Sequence, residues 1–349
     1  MHPDLAVIAG EYLRDLLGQS QALERTLNSF ERSAALERIA AGLHKGKFQR
    51  IVLTGMGSSF HALHPLSLQL IDRRHTAILA ETSELVHYKN RFFGPGTLVI
   101  AVSQSGRSAE MVRLLKVNRG RSSVIAITNT PESPLALQAD VAIVTQAGNE
   151  FSVSCKTYLA ALMALVWLGD ALIGRDLRRT RRDLKKAAPA VKLYMADWES
   201  KVRSLLEKLK DIRHLFLVGR GASLAAVGTG ALIVKEAARF PAEGMSSAAF
   251  RHGPFETLSD KTFVLVFSGD RKTRDLNLRL LRDIQKRGGK AELVSEDALF
   301  PAFRLPATPA WIRPILEILP VQMITLALAA QAGREPGRFE VVVKVTTTE

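Results

Sequence analysis

The sequence predicts an α/β protein with two parallel sheets, each covered by helices on both faces. Three observations support this fold class. Apolar segments of strand length alternate with segments of helical periodicity along most of the chain. A strand that ends in a Gly-x-Gly-x-Ser turn and continues into a helix occurs twice, at 51–59 and 215–223. The length of 349 residues suits two domains of ordinary size.

The composition is typical of a water-soluble globular protein, with 47% hydrophobic and 23% charged residues. No apolar run reaches the roughly 18 residues that a membrane span needs, and the N-terminus has no signal-peptide pattern. The single cysteine, Cys155, excludes internal disulfides and a four-cysteine zinc site. We therefore expect a cytoplasmic protein with no membrane partner, no metal site and no cofactor.

The formal net charge of +14 is partly concentrated in residues 175–186, which hold seven cations and two anions. Such a run can bind nucleic acid or can form the solvated face of a helix. Because no aromatic residue lies within it and no DNA-binding motif flanks it, the sequence favours the solvated helix over a nucleic-acid partner.

The elements of the first half follow from periodicity. Residues 1–48 are predicted to form a helical N-terminal segment, and residues 49–174 a first domain. Its predicted strands are 51–53, 76–80, 97–102, 123–128 and 141–145. Its predicted helices are 59–70, 83–88, 108–117 and 159–172, the last being apolar on nearly every side and therefore buried.

The second half begins with a charged connector, residues 175–210, which is predicted to be one long helix. A second domain is predicted over residues 211–335 and a C-terminal tail over 336–349. The strands of this domain are predicted at 215–218, 262–267 and 291–294. Its helices are predicted at 225–238, 274–287 and 315–330.

The strongest local signal for function is the loop 103–108, Ser-Gln-Ser-Gly-Arg-Ser, which follows a β-branched strand and precedes a helix. One serine there would be explained by helix capping. The four polar side chains Ser103, Gln104, Ser105 and Ser108 exceed what a cap needs, and a phosphate dianion requires several donors. Ligands sit at this end of parallel strands. The first Gly-x-Gly turn would add Ser58 and Ser59.

Two further residues stand out in the second half. Glu236 lies near the end of an apolar helix, where a carboxylate is most often a surface residue. His252 precedes Gly253-Pro254 in a turn, from which a side chain can point into a cleft. Composition alone assigns neither residue a role.

The order of motifs resembles the isomerase half of glucosamine-6-phosphate synthase and its relatives, which contain two sugar-isomerase (SIS) domains with flavodoxin-like sheets. The resemblance covers nearly the whole chain and does not include the glutaminase half. It rests on motifs in one order: Gln19-Ser-Gln-Ala-Leu23, the Ser-Gln-Ser-Gly loop, Ala147-Gly148, Lys235-Glu236, His252-Gly-Pro254, Lys286-Arg-Gly-Gly289 and the terminal Lys344-Val-Thr-Thr-Thr-Glu349.

The resemblance implies roles for individual residues. The family's sugar-phosphate binders match Ser59, Ser103, Gln104, Ser105 and Ser108, and Ser154 matches a further substrate contact. Glu236 matches the carboxylate that moves a proton between C1 and C2. His252 matches a residue that assists ring opening from the partner subunit, so the resemblance implies a homodimer with shared active sites. Lys344 matches the lysine at the open-chain carbonyl.

The resemblance implies a cofactor-independent enzyme that acts on a 6-phosphosugar of the glucosamine-6-phosphate or fructose-6-phosphate type. Ile233 stands where the synthases carry a second lysine, which favours a related activity. Aldose–ketose isomerisation and deamination of an amino-sugar phosphate are the expected reactions. The alternatives are a deglycase of amino-acid–sugar phosphates and a non-catalytic phosphosugar-binding regulator.

The two strand–turn–helix copies are not expected to act alike. At the place where the first sheet carries its serine loop, the second carries Ser268-Gly-Asp-Arg271, and Asp270 would repel a phosphate. We therefore expect the first copy to hold the phosphate and the second to contribute Glu236 and His252.

Overall fold

A computed structural model describes residues 5–341 of the chain. These residues divide into two compact units that alternate along the sequence. The first-sheet unit comprises residues 21–149 and 156–186. The second-sheet unit comprises residues 5–20, 150–155 and 187–341.

The first-sheet unit contains a five-stranded parallel sheet with the strand order β2-β1-β3-β4-β5. Its strands are β1 (Arg50–Gly55), β2 (Ala77–Glu81), β3 (Thr97–Val102), β4 (Ser123–Thr128) and β5 (Val141–Val144). This is the flavodoxin-like order. In the register of β1 with β3, Thr54 lies opposite Ala101, so both strands end at the same level of the sheet.

The second-sheet unit contains four parallel strands in the order β7-β6-β8-β9. They are β6 (His214–Gly219), β7 (Ala242–Ser246), β8 (Thr262–Phe267) and β9 (Lys290–Val294). This order repeats the first four positions of the other sheet, and Val218 on β6 pairs with Val266 on β8. The predicted fold class, two flavodoxin-like parallel sheets flanked by helices, is confirmed.

The helices of the described residues are, in chain order, α1 (Glu11–Leu17), α2 (Gln19–Ser29), α3 (Ala34–His44), α4 (Gly57–His61), α5 (His64–Asp72), α6 (Thr82–His87), α7 (Ala109–Asn118), α8 (Pro134–Gln138), α9 (Lys156–Leu172), α10 (Leu177–Leu184), α11 (Ala187–Met195), α12 (Trp198–Lys208), α13 (Leu224–Ala238), α14 (Ser247–Arg251), α15 (Arg274–Lys286), α16 (Arg313–Leu316) and α17 (Leu319–Gln331). Short 3-10 turns lie at Leu5–Ile8, Asn90–Phe92, Gly221–Ser223, Pro254–Thr257 and Pro301–Phe303.

Each sheet is buried by apolar side chains of its own strands and helices. Val52 and Val99 of the first sheet pack with Leu114 of α7, and all three are fully buried. In the second-sheet unit, Val264 packs with Leu280 of α15 in the same way. Strands covered on both faces are apolar at nearly every position, which is why the sequence shows them as continuous apolar runs.

Proline divides three segments that we predicted as single helices. The predicted helix 59–70 is split into α4 and α5 before Pro65, and the predicted helix 315–330 into α16 and α17 before Pro320. The connector 175–210 is three helices, α10 to α12, with the first break before Pro189. A proline ring clashes with the carbonyl group four residues earlier, so the preceding helix ends there or one residue before it.

Strand β7 was not predicted, because Ala242-Glu-Gly-Met-Ser246 has no apolar run. It is an edge strand that pairs with β6 only. Helix α13 passes so close that a Cβ on Gly244 would overlap the backbone of Val227. Only glycine therefore fits where the strand crosses the helix, and tertiary packing forms a strand that local propensity does not predict.

Part of the basic run at 175–186 has a structural role. The Arg181 guanidinium donates to the carbonyl oxygens of Leu27 (2.8 Å) and Phe30 (2.7 Å), just before and just after the end of α2. A cation at that position also balances the helix dipole.

One segment, Arg313–Gln331, has the length and composition of a membrane-spanning helix, contrary to our expectation that none would. However, 94% of its most apolar 18-residue stretch is buried inside the protein, as expected for a segment of the core.

Candidate active site

The candidate phosphate site lies at the carboxyl edge of the first sheet. Strands β1 and β3 are neighbours and run parallel, so the segments that follow them leave the sheet at the same edge. Ser58 and Ser59 lie in the first turn of α4, directly after β1. The loop 103–108 follows β3 and leads into α7. We call these two segments together the serine nest.

Three hydroxyl groups of the nest already accept hydrogen bonds from backbone N–H groups of the loop and of α7. Ser103 Oγ accepts from the N–H of Gly106 at 3.1 Å, and Ser105 Oγ accepts from the N–H of Arg107 at 3.3 Å. Ser108 is the N-cap of α7 and accepts from the N–H of Met111. The capping interpretation is therefore correct for Ser108. Each hydroxyl that accepts a hydrogen bond still carries a proton that it can donate to a ligand.

The backbone of the nest is held by the neighbouring strand. The carbonyl oxygen of Gln104 accepts from the N–H of Asn129 at 3.0 Å and from the hydroxyl of Thr128 at 3.1 Å. These contacts hold the backbone of the loop against the end of β4.

Ser58 contributes a hydroxyl group that lacks a hydrogen bond. Its side chain is buried, and its Oγ has no hydrogen-bond partner among the described residues. Buried hydroxyl groups are nearly always paired in native proteins. An oxygen-rich ligand would provide the partner that the surrounding side chains do not.

Gly106 is the residue of the nest that tolerates substitution least. Its φ of 60° lies in the left-handed region, and a Cβ would lie 2.6 Å from the Cβ of Ser133, which side-chain rotation cannot move. We expect Gly106→Ala to lower the free energy of unfolding by about 2 to 4 kcal/mol, from backbone strain and overpacking together. Urea denaturation would measure the loss.

Gly120 provides the matched control, because its φ is 71° and a Cβ there would have nothing within 4 Å. Gly120→Ala should cost only the left-handed strain, about 1 kcal/mol. Equal losses for the two variants would contradict the crowding argument.

The candidate base, Glu236, lies in the last turn of α13 in the second-sheet unit. The pKa of its carboxyl group is raised from 4.5 to about 7, mainly by burial and also by the negative charge of Glu150, while Lys235 acts in the opposite direction. A carboxylate with a pKa near neutrality can take up and return a proton at physiological pH.

Glu150 was not singled out from the sequence. Its carboxylate is buried, and Oε1 accepts a hydrogen bond from the N–H of Cys155 at 2.9 Å. A buried acid that closes a loop in this way is held in a fixed position. A glutamate within an irregular segment has no periodicity to reveal it, and only the fold brings its charge near that of Glu236.

The remaining predicted site residues are placed as follows. His252 is exposed and ends α14, just before Gly253 with a φ of 125°. Ser154 lies in the segment 150–155 of the second-sheet unit, whereas the nest belongs to the first-sheet unit. Lys344 lies outside the described residues. Within residues 5–341, no group of three or more His, Cys, Asp or Glu side chains is arranged to hold a metal ion.

The carboxyl edge of the second sheet has a different chemistry from the nest. Asp270 follows β8 and accepts from the N–H and hydroxyl groups of Thr273. Ser223, after β6, donates to Oε1 of the buried Glu317 at 2.8 Å. Burial raises the pKa of Glu317 to about 7. Sequence analysis missed Glu317 because it lies within an apolar helical segment.

A comparison with protein-family models matches the SIS domain at residues 43–171 and 208–299. The chain belongs to the SIS domain family. Each matched segment contains all the strands of one sheet, so each of the two sheets belongs to an SIS domain.

Named relatives agree with this assignment. The chain is 31% identical over 315 residues to glutamine–fructose-6-phosphate aminotransferase (isomerizing) from Pyrococcus horikoshii, covering 87% of this chain and 52% of that protein. The SIS chain thus spans about half the length of the curated relatives that it matches.

Solved structures share its fold. The C-terminal domain of the Francisella tularensis glucosamine-fructose-6-phosphate aminotransferase matches with a TM-score of 0.81 at 20% identity, covering 94% of this chain and 98% of that one. Glucosamine-6-phosphate deaminase from Thermotoga maritima matches with a TM-score of 0.78 at 20% identity, covering 97% and 100%.

Proposed function

We propose that this SIS protein is an enzyme acting on a 6-phosphosugar, either as an aldose–ketose isomerase or as an amino-sugar-phosphate deaminase. The serine nest binds the phosphate group. Glu236 removes a proton from one of the two carbons C1 and C2 and returns it to the other. His252 assists ring opening, and Lys344 contacts the open-chain carbonyl. The proposal includes a homodimer, because the family counterpart of His252 acts from the partner subunit.

The observation that carries the proposal is the serine nest. Two adjacent parallel strands bring hydroxyl groups and the start of α7 to one edge of the first sheet, and the buried Ser58 hydroxyl has no partner there. Backbone N–H groups, hydroxyl groups and a helix N-terminus suit a phosphate dianion. Curated relatives and a structural neighbour with this fold are named for hexose-6-phosphate chemistry.

The surroundings of Glu236 support its proposed role as the base. A single carboxyl group can serve both steps of an aldose–ketose interconversion only if it gains and loses a proton easily. Burial and the nearby Glu150 provide that condition.

The C-terminal segment supports a role for Lys344. The N–H of Gly337 donates to the carbonyl oxygen of Ala237 at 3.1 Å, and Arg239 bonds to the carboxylate of Glu340 and the carbonyl oxygen of Arg338. These contacts hold residues 337–340 at the end of α13, the helix that carries Glu236.

The test is to incubate the protein with glucosamine 6-phosphate and to assay both ammonia and fructose 6-phosphate. Release of both products identifies a deaminase. Interconversion within a panel of aldose and ketose 6-phosphates, without ammonia, identifies an isomerase. Binding of phosphosugars without turnover of any, including amino-acid–sugar phosphates, would refute the proposed enzyme and favour a regulator. Turnover of only the amino-acid–sugar phosphates would favour the deglycase.

A further inference from the structure

A groove with a volume of about 960 Å³ runs along the outer face of α7, in the first-sheet unit. Five cationic side chains line it, and no carboxylate is among the lining residues: Arg107, Arg113, Lys116, Arg119 and Arg121. We call it the α7 groove. Like charges gathered in a concavity repel one another, and the low-dielectric walls strengthen the field inside it.

Helix capping explains part of this charge. The guanidinium of Arg121 donates to the carbonyl oxygens of Val117 (2.9 Å) and Asn118 (3.3 Å) at the end of α7. Lys116 also lies in the last turn, where a cation balances the helix dipole. Arg107 precedes the helix, and its guanidinium donates to the carbonyl oxygen of Glu132 at 3.4 Å. Arg113 lies at the middle of α7, so the dipole at the C-terminal end explains the position of neither cation.

The spacing of the cations fits an extended anion. The cations are spread along the whole of α7 and its two ends, and the ten residues of this helix span about 15 Å at the helical rise of 1.5 Å per residue. One orthophosphate can reach only one or two of these side chains. A chain of phosphates can reach several at once, with Arg113 and Lys116 one turn apart near the centre.

The remaining lining suits an organic group attached to those phosphates. Ala109, Val112 and Val117 provide an apolar wall, and the amide of Asn90 offers both a donor and an acceptor. The volume falls within the range of small-molecule pockets. A groove of this volume accommodates one nucleotide rather than the several successive nucleotides of a polymer strand.

We propose that the α7 groove binds a nucleoside polyphosphate, at a site separate from the serine nest. The two sites differ in chemistry, because the nest offers hydroxyl and N–H groups whereas the groove offers cations. Arg107 joins them: its N–H donates to Ser105 Oγ in the nest, and its guanidinium lines the groove.

Titration calorimetry with ATP, at moderate salt and without divalent metal, tests the proposal on the full chain. ATP should bind, and the double charge reversal Arg113→Glu with Lys116→Glu should weaken binding by about tenfold or more, because two charge-assisted contacts are lost. The matched control is Arg178→Glu with Arg179→Glu, which changes the net charge equally at two exposed residues of α10. This control should bind ATP as the wild type does.

Ser103→Ala separates this proposal from the proposed function. It should weaken phosphosugar binding and leave ATP binding unchanged. The groove proposal is overturned if the α7 reversal binds ATP normally, if the α10 reversal weakens binding as strongly, or if Ser103→Ala abolishes ATP binding. It is also overturned if a short single-stranded RNA binds more tightly than ATP and depends on the same two α7 residues, since the ligand would then be nucleic acid.

Discussion

Replacing Glu236 with glutamine is expected to lower kcat/KM for the phosphosugar substrate by about 10²- to 10⁴-fold, the usual contribution of a general base. Glutamine has nearly the same shape but cannot accept the substrate proton. Because the phosphate contacts belong to the serine nest, the variant should still bind the phosphosugar. Steady-state kinetics and calorimetry on the same preparation measure the two effects separately.

Glu256→Gln is the control, since it removes an exposed carboxylate of the same unit. It should keep full activity. If the Glu236→Gln variant turns over substrate at the wild-type rate, Glu236 is not the base. If the variant loses phosphosugar binding as well as turnover, Glu236 does more than move a proton.

The proposed role of Glu236 as a base also predicts how the kcat/KM of the wild type changes with pH. A base with a pKa of about 7 is active only when deprotonated, so kcat/KM should fall tenfold per pH unit below about pH 7. Glu150→Gln removes a negative charge that raises this pKa, and its acid limb should therefore move to lower pH. Because burial is the larger cause of the raised pKa, the acid limb of this variant should still lie at a higher pH than the pKa of an exposed glutamate.

The free energy of unfolding of Glu317→Gln, relative to that of the wild type, is expected to change by about 3 kcal/mol between acid and neutral pH. Burial raises the pKa of Glu317 from 4.5 to about 7, and each pKa unit is worth about 1.4 kcal/mol. The side chain is 2% exposed, so solvent screens it little. Ser223 donates to one carboxyl oxygen, and the other has no hydrogen-bond partner among the described residues. The positive charge of Arg313 lowers the pKa only partly.

The direction follows from proton binding. Between about pH 4.5 and 7 the folded protein keeps the Glu317 proton and the unfolded chain releases it, so this group's stabilisation is complete below pH 4.5 and is lost as pH rises to 7. Glutamine stays neutral throughout. The unfolding free energy of Glu317→Gln minus that of the wild type should therefore increase across this window, with most of the gain present at pH 7.5.

Urea denaturation at a series of pH values measures this difference, and the pH dependence of all other groups cancels in it. The exposed Glu256→Gln again serves as the control and should give a nearly flat difference. Parallel stability curves for the wild type and Glu317→Gln would show that folding does not raise the pKa of Glu317.

The local sequence was sufficient to predict those elements whose structure follows from a single physical rule. The buried strands of both sheets are continuous apolar runs, because both of their faces are covered, and so β3 and β8 were predicted at their observed bounds. The loop 103–108 was recognisable because its four polar side chains follow an apolar strand. The three split helices could also have been predicted, since Pro65, Pro189 and Pro320 each end a helix by the same clash.

Tertiary structure decided what depends on residues that are distant in sequence. Strand β7 exists because α13 and β6 pack around Gly244, and its own residues have little strand propensity. The raised pKa values of Glu236 and Glu317 arise from burial and from charges on other elements, which no local pattern encodes. The cations of the α7 groove lie within α7 or beside its ends and form no recognisable motif in the sequence. Composition and periodicity therefore determined the two-sheet fold and the serine nest, whereas folding determined which carboxyl groups lose their water and which cations share one concavity.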